Sequence, residues 1–548
     1  MAEKKSPGLS SLPAMDFDPT PTSPGTSSTG VITKNLYVLC FIFFFLWSAF
    51  QGLANLESSI NCEGGLGVLS LSLTYGSLMI SSFFLPSWMM SKLGPKWTIF
   101  WCSLGYVAYY AANYVSSPFT LLPAAVVMGA AGAPLLTAQA AYVTTCGYAY
   151  AERNRDSYLA NPSAANQNLE FNPETMVSKY FGIFFFFFEV TQVSGNLISS
   201  AVLTAASNET ELIFPDGTLS NETRDYIDAN CGAQVINTEG GGEECQGIDD
   251  TSRFILISIY IGLGAIASCL AFFFLDNIKI RTDQEEPSPI QLILSTVKHA
   301  ATNRKQQLLI VLTMYSGFKQ AFLAADLTEG YIGCALGTEW IGFILISYGA
   351  IDSAMSWFSG ELGSKLGGRF GRGYLLGLGF GIDLVLMTAL LLWRPYPTSL
   401  VPFFWVAMLY GSSDAIFQTQ LYTMYGVIFN NCTDAAFANF RFWEALGFCI
   451  AYGYQSFLET KIKCYIMLGV ILLSCIGYTS CEWLVSSEMT KKRIEVAEGV
   501  IEEKAVEVLE TPDKNLPMRM RGQSFISTAS RRRATNRSGG FENQATDV

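Results

Sequence analysis

Several charged side chains lie inside long apolar runs of the chain, where an ionised group is costly. Lys319, Asp352 and Asp414 each lie well within such a run, and so do Glu189 and Asp383. A charge at the centre of a membrane helix costs roughly 3 kcal/mol unless it is paired or wetted. These residues therefore predict ion pairs between helices, such as Lys319 with Asp352 or Asp414, or else a site that binds a solute or a proton.

Two further charged residues have a partner close in sequence. Arg441 and Glu444 are one helical turn apart, so they can pair with each other on a single helix face. Asp383 has no such neighbour, and we interpret it as a packing or partner contact.

The chain shows no residue pattern typical of an enzyme. Its single histidine, His299, lies in a polar stretch. Phosphate-binding loops, paired zinc ligands and nucleophile elbows are all missing from the sequence. We therefore predict a protein without catalytic activity, cofactor or metal, and we expect no nucleic-acid partner for a chain with a net charge of -12.

The elements that carry the buried charges are predicted to be membrane helices. Half of the 548 residues are hydrophobic and only 15% are charged, against about 25% in soluble proteins. The apolar residues form runs long enough to cross a bilayer. We count twelve, beginning near Leu36, Leu66, Lys96, Phe119, Met176, Arg253, Gln306, Thr338, Arg372, Leu400, Asp434 and Lys463. The first run begins behind a polar stretch, so we expect no cleavable signal peptide.

Basic residues in the short loops predict the orientation in the lipid bilayer. The loops on one side of the predicted helices hold thirteen Lys and Arg residues, and those on the other side hold five. By the positive-inside rule both termini are cytoplasmic. The predicted order is a disordered cytoplasmic N-tail (1–34), a six-helix bundle (35–276), a cytoplasmic linker (277–305), a second bundle (306–486) and a mostly disordered cytoplasmic tail (487–548).

Short matches between the two halves indicate an internal repeat. The sequence Ser-Lys-Leu-Gly occurs at Ser91, Lys92, Leu93, Gly94 and again at Ser364, Lys365, Leu366, Gly367. Three further pairs recur in the same order with equal internal spacing: Pro123/Gln139 with Pro402/Gln418, Gln51/Glu57 with Gln320/Asp326, and Phe185/Glu189 with Phe440/Glu444. We therefore predict an all-α polytopic membrane protein with twelve transmembrane helices in two six-helix bundles.

The longest predicted outer loop, 206–252, is strongly acidic and carries two kinds of modification signal. Asn208 and Asn221 each begin an Asn-x-Thr sequon, which predicts glycosylation outside the cell. Cys231 and Cys245 share this loop and can form a disulfide in an oxidising compartment. Cys62 and Cys334, in equivalent outer loops of the two halves, are the rival pair.

One turn resembles the signature of the major facilitator superfamily. The residues are Gly360-x-Leu362 followed by Gly367 and Arg369, while the copy at Ser91–Lys96 lacks the acidic residue. The resemblance implies a central cavity lined by the first, fourth, seventh and tenth helices. Its candidate residues are Lys319, Asp326, Asp414, Gln139 and Gln418. The missing acid argues against conventional gating.

Longer runs resemble the uncoordinated-93 (Unc-93) family, most of all its homolog A branch. They are Gly52–Gly76, Lys179–Phe188, Ser194–Ser200, Asp414–Val427 and Ala435–Phe448. The resemblance implies a regulator of potassium channel activity that binds a channel subunit or another membrane protein at the plasma membrane. The alternatives are a secondary transporter of a small organic solute, proton-coupled or not, and a trafficking escort for membrane receptors with an intracellular vesicle pool.

Overall fold

The computed structural model describes residues 28–61, 66–115, 117–154, 173–206, 221–234, 250–277, 289–337, 339–430, 432–455 and 457–510. Over these ranges the prediction of an all-helical chain is confirmed. The residues fall into two units, one that ends at Leu484 and one that begins at Val485. The second unit contributes the helical residues 485–510, and every contact reported below lies within the first.

The first half of the chain contains seven described helices. They are α1 (Ser28–Ile60), α2 (Leu66–Ser81), α3 (Leu85–Ala112), α4 (Pro118–Arg153), α5 (Glu174–Ala206), α6 (Asn221–Asn230) and α7 (Asp250–Phe273), with a short 3-10 turn at Gly232–Gln234.

The described part of the second half contains seven more. They are α8 (Pro289–Thr302), α9 (Arg304–Ala321), α10 (Glu339–Lys365), α11 (Arg369–Leu392), α12 (Val401–Ile428), α13 (Thr433–Gly453) and α14 (Thr460–Glu510). A π-helical segment, Phe322–Gly333, continues α9, and one helical turn, Cys334–Leu336, follows it. Segments of π-helix are rare and frequently occur at functional sites.

Eight of the described helices are long and apolar enough to cross a membrane, or nine spans if the bent pair α2–α3 counts as one. The two helices of that pair meet at 79°. The chain therefore has the length and composition of a protein that crosses the bilayer many times. The finer count of twelve spans stays a prediction.

Both copies of the repeated Ser-Lys-Leu-Gly end in a left-handed glycine. Gly94 has φ 73° and Gly367 has φ 86°, a conformation that glycine adopts without the steric cost that a Cβ imposes. In the second copy, Gly367 and Gly368 separate α10 from α11. In the first copy, Gly94 has non-helical backbone angles and interrupts α3 with a kink directly before Pro95. The run predicted from Lys96 therefore begins just after this break.

The two halves meet along α5 and α10, at a point where two glycines touch. A Cβ added to Gly182 would lie 2.7 Å from the Cα of Gly360, and one added to Gly360 would lie 2.6 Å from the Cα of Gly182. No real Cβ tolerates such a distance, so the close crossing requires glycine on both helices. We call this contact the α5–α10 seam. Across a second contact, α13 packs against α2 and α4.

The predicted disulfide partners are wrong. Cys231 bonds to Cys334, with a Cα–Cα distance of 5.7 Å, and this excludes both Cys231–Cys245 and Cys62–Cys334. The reason is that α6, which follows α5 in the chain, lies against the second half. Asp228 accepts a hydrogen bond from the Tyr396 hydroxyl at 2.6 Å, and its carbonyl oxygen accepts one from Arg394. Cys231, which directly follows α6, therefore lies beside Cys334 at the end of the π-helical segment.

Two of the residues in these predictions, Cys62 and Cys245, lie outside the described residues. The sequon residue Asn208 also lies outside them, while Asn221 is the first residue of α6.

Candidate functional site: a buried charge cluster

The site is built around Lys319, whose side chain is only 1% exposed near the end of α9. Its ammonium nitrogen lies 3.2 Å from each carboxylate oxygen of Asp383 on α11. The same nitrogen donates a hydrogen bond to the Ser413 hydroxyl at 2.7 Å. Burial of a charge is tolerated only when hydrogen bonds replace those lost to water, and these contacts replace them.

Asp383 is thus the first partner of Lys319, and the interpretation of Asp383 as a lone packing or partner contact is wrong. Its carboxylate also accepts hydrogen bonds from the hydroxyls of Tyr315 and Ser413. Asp414, one of the two partners that the sequence suggested for Lys319, lies farther away, with 3.9 Å between the charged atoms. The other, Asp352, makes no ion pair with Lys319 within the described part of the chain.

Aromatic rings close the site around the lysine. The Lys319 nitrogen lies 5.2 Å from the ring centroid of Tyr410 and 5.0 Å from that of Phe417, within the range of a cation–π interaction. The Tyr410 hydroxyl donates to the backbone carbonyl of Lys319 at 2.5 Å. These rings exclude water and hold the end of α9 against α12.

Three more buried carboxyl groups belong to the same region of the helix bundle. Asp414 on α12 accepts a hydrogen bond from the Tyr348 hydroxyl at 2.8 Å and interacts with Gln418 one turn on. Asp352 on α10 is fully buried and interacts electrostatically with Glu189 and Asp414. Glu189 is supplied by α5, from the first half of the chain. We call Lys319, Asp383, Asp414, Asp352 and Glu189 the carboxyl–lysine cluster.

The acids of this cluster are not equally satisfied. One carboxyl oxygen of Asp352 and one of Glu189 have no hydrogen-bond partner among the described residues. The other oxygen of Asp352 accepts a long hydrogen bond, 3.4 Å, from Ser356, and Tyr348 also interacts with this carboxyl group. The cluster therefore combines one well-bound lysine with two poorly bound carboxyl groups.

Asp326, a predicted cavity residue, belongs to a different site. It lies in the π-helical segment and accepts a hydrogen bond from the Lys463 ammonium group at 2.8 Å, with Thr460 and Gln455 as further donors at 3.3 Å. This separate ion pair ties the π-helical segment to the start of α14.

Gln139, on α4, is also buried, and its side-chain nitrogen has no partner among the described residues.

Arg441 and Glu444 pair on α13, with 2.5 Å between Nη1 and Oε2. Ser316 donates a hydrogen bond to the second oxygen of Glu444 at 3.0 Å. The Arg441 guanidinium lies 5.1 Å from the ring of Tyr422. This pair faces α2 of the first half, since Glu444 interacts electrostatically with Tyr75.

The sequence did not identify a group of ion pairs at the ends of α5, α10 and α11. Arg372, which was named only as the start of a predicted membrane helix, pairs with Glu174 on α5 and with Glu482 on α14. Lys179 on α5 pairs with Glu361 on α10 at 3.1 Å. We call Lys179–Glu361 and Arg372–Glu174 the cross-half pairs. The sequence does show opposite charges near the ends of these predicted helices. Their spacing along the chain, however, does not indicate which of them form pairs.

The sequence also gave no prediction for the hydroxyl donors Tyr315, Tyr348 and Ser413. Tyrosine and serine are common in apolar runs, and most of them do not bind a charged group. Among the described residues, no group of three or more His, Cys, Asp or Glu side chains is arranged to hold a metal ion.

The helical architecture has relatives among solved transporters. The E. coli fucose:proton symporter FucP superposes with a TM-score of 0.52 and 11% sequence identity, covering 81% of this chain and 98% of that one. At such low identity the likeness shows the fold alone. The chain is thus a multi-span helical membrane protein of the major facilitator fold.

Sequence comparison shows the family. The family model described as ion channel regulatory protein UNC-93 matches residues 173–479. Protein unc-93 homolog A of Xenopus laevis is 39% identical over 465 residues, which are 84% of this chain and 95% of that protein. The protein named as potassium channel regulatory protein unc-93 in Caenorhabditis elegans is 29% identical over 462 residues, covering 82% of this chain and 61% of that protein. This chain belongs to the UNC-93 family.

Proposed function

We propose that the chain is a non-enzymatic membrane protein that regulates a potassium channel by direct contact. The observation that carries the proposal is membership of the UNC-93 family, whose C. elegans member is named for this activity. The plasma membrane is the proposed location, because a regulator of this kind must meet its channel there.

The geometry of the second half agrees with a regulatory role. Lys319 is held by Asp383 and Ser413 and is covered by two aromatic rings. A substrate that used this lysine would have to displace both partners. The glycine contact of the α5–α10 seam leaves no room for a side chain between the helices. Both features suit a closed bundle that presents its outer surface to a partner.

The proposal is tested by co-expressing the full chain with two-pore potassium channels. We expect the channel to co-purify with the chain and its current to change at equal channel abundance. A matched control is the variant Lys319→Met/Asp383→Asn, which removes one buried charge of each sign and leaves the outer surface intact. It should retain the effect on the current. Absence of both complex formation and current change would exclude the proposal.

A second function, secondary transport of a small organic solute, is favoured by one observation. The carboxyl–lysine cluster joins acids from both halves at a depth where charges are rare. Uptake of solutes into proteoliposomes tests this function. A transporter that uses the cluster would lose uptake in Lys319→Met/Asp383→Asn, whereas a regulator would keep its effect on the channel.

We also propose the finer topology of twelve spans in two six-helix bundles, with both termini cytoplasmic and glycans on Asn208 and Asn221. Replacing each asparagine by glutamine should remove one glycosidase-sensitive increment of gel mobility. Protection of a C-terminal epitope in sealed, right-side-out cells checks the orientation. An epitope that an external antibody reaches would overturn it.

A further inference from the structure

Glu189 is the one member of the carboxyl–lysine cluster that the first half supplies. The role proposed for it below does not depend on channel regulation or on a partner protein. Glu189 lies on α5 and Asp352 lies on α10, so the two carboxyl groups are on opposite sides of the α5–α10 seam. Near them the helices are in close contact, because a Cβ added to Gly349 would lie 2.8 Å from the Cβ of Gln192.

The charges of the cluster do not balance if every acid is ionised. Asp383 takes both close contacts of Lys319, and Asp414 has the Tyr348 hydroxyl and a 3.9 Å approach to the same lysine. No cation lies within ion-pair distance of Glu189 or Asp352 in the part of the chain that the structure describes. Asp352 interacts electrostatically with Glu189, and the interaction is repulsive when both are ionised. Because each carboxylate is also desolvated, the doubly charged state is strongly disfavoured.

The unpartnered oxygens give a second, independent indication. Glu189 and Asp352 each bury one carboxyl oxygen that receives no hydrogen bond from the described residues. A buried acceptor without a donor is rare in native proteins. A proton on one carboxyl supplies a donor to the other and removes one of the two charges.

We propose that Glu189 and Asp352 form a proton-binding site across the α5–α10 seam, and that loss of its proton separates the two helices. With the proton bound, the two carboxyl groups share one negative charge and form a hydrogen bond. When the proton leaves to water, two like charges face each other where Gly349 brings α10 close to α5. The proton is the only species transferred, and no covalent bond between heavy atoms changes.

The groups that face the site come from each helix packed against it. They are Tyr348 on α10, Asp414 on α12 and Lys319 on α9. Lys319 is the only cation among them, and its hydrogen bonds go to Asp383 and Ser413.

Separation of the seam is opposed at one end of the same helices. The cross-half pairs Lys179–Glu361 and Arg372–Glu174 connect α5 to α10 and α11. We therefore expect the helices to separate at the other end, toward the C-terminal part of α5 and the N-terminal part of α10.

The proton is tested by infrared difference spectroscopy on the full chain in lipid nanodiscs, between acidic and alkaline buffer. We expect the carbonyl stretch of a protonated carboxyl group to disappear on alkalinisation. The Glu189→Gln and Asp352→Asn variants should each lack this component. Glu361→Gln is the matched control on α10, since that carboxylate already pairs with Lys179 and Lys365, and it should leave the component unchanged.

The movement is tested by spin labels at Leu197 and Phe343, two exposed positions on α5 and α10, after the exposed Cys269 and Cys432 are replaced by serine. The distance between the labels should lengthen on alkalinisation in the otherwise unchanged chain and stay short in Glu189→Gln. Two independent variants cover the case in which one fails to fold. A component that persists in both variants, or a label distance that does not respond to pH, would overturn the proposal.

Discussion

The two halves of the chain handle the same helix contact in different ways. In the second half, Tyr315 and Lys319 on α9 both bond to Asp383 on α11. The internal repeat places Leu46 and Tyr110 at the positions of Tyr315 and Asp383. In the first half, the Tyr110 hydroxyl donates to the carbonyl oxygen of Leu46 at 2.9 Å. One neutral hydrogen bond thus stands where the second half has a buried ion pair.

This difference shows which helix contacts the fold requires and which charged contacts occur in the second half alone. The first half has Phe50 at the position of Lys319, Leu135 at that of Asp414 and Met79 at that of Asp352. Because the first-half helices pack without charges at these positions, the charges are not needed for packing. Replacing a buried ion pair by apolar residues is often neutral or stabilising, so a charge-rich contact suggests a role other than stability.

The two equivalent glutamates sharpen the same contrast. Glu444 has Arg441 one turn before it, whereas Glu189 has Phe186 at the equivalent position. Each faces a tyrosine of the opposite half, Tyr75 for Glu444 and Tyr348 for Glu189. The helix arrangement is the same, but only Glu444 has a basic residue, Arg441, as its partner on the same helix.

The largest expected effect comes from breaking the ion pair and its neutral counterpart separately. Asp383→Asn leaves the charge of Lys319 buried without its main partner, and should lower the free energy of unfolding by about 3–5 kcal/mol. Tyr110→Phe removes one neutral hydrogen bond and should cost about 1 kcal/mol. Thermal unfolding of the purified chain in one detergent measures both.

The double variant Lys319→Met/Asp383→Asn is the control for this pair of measurements. It should recover most of the stability lost in Asp383→Asn, because the lysine charge is no longer buried without its main partner. Equal losses in Asp383→Asn and Tyr110→Phe would contradict the distinction drawn between the halves.

The covalent link between the halves should give the next largest effect. Cys334→Ser opens the disulfide to Cys231, which closes a loop of 103 residues, and should cost about 3 kcal/mol. Cys475→Ser, which replaces a cysteine that is free in the structure, is the control and should change little. A shift in non-reducing gel mobility that appears only in Cys334→Ser checks the pairing.

The seam itself gives a moderate effect. Gly182→Ala places a methyl group against the backbone of Gly360 and should cost about 1–3 kcal/mol. Gly377→Ala is the matched control, because nothing lies within 4 Å of its added Cβ, and it should be neutral or slightly stabilising. If both alanines behaved alike in thermal unfolding, the glycine contact would not be a constraint.

The smallest effect concerns the linker helix α8. Burial lowers the pKa of His299, whose ring packs edge-on against Phe429 at 5.1 Å. The undocked helix therefore binds a proton more readily, so the docking that His299 favours is present above the ordinary histidine pKa, about 6.5, and weakens as the pH falls through it. After correction for the intrinsic pH dependence of amide exchange, the protection of α8 should fall by less than tenfold on acidification. His299→Gln should remove the pH dependence, and an unchanged dependence would assign it elsewhere.

Local relationships were readable from the sequence, and distant ones were not. Arg441 and Glu444 are three residues apart, so the helix period alone suggested their pairing. Lys319 and Asp383 are 64 residues apart, and their contact depends on how α9 and α11 are rotated about their axes. Apolar runs do not encode this rotation, so the sequence offered Asp352 and Asp414 as equally good partners.

The disulfide was missed for a related reason. The sequence predicted a disulfide either within one loop or between equivalent loops of the two halves. The Cys231–Cys334 bond joins two loops that are not equivalent. Its formation depends on how α6 lies against the second half, through contacts such as Asp228 with Tyr396. Those contacts involve common polar residues without a recognisable motif. The repeated Ser-Lys-Leu-Gly, in contrast, predicted a turn in both halves, and a left-handed glycine ends both copies.

The disulfide also constrains the order in which the protein can mature. Cys231 is synthesised well before Cys334, with α7, α8 and α9 between them in the chain. Until the segment that follows α9 has entered the oxidising compartment, Cys231 has no native partner and is open to capture by other thiols. The first half of the protein therefore cannot complete its covalent structure before Cys334 of the second half has been synthesised. An oxidoreductase that stays bound to Cys231 until then would delay the native disulfide until both halves are present.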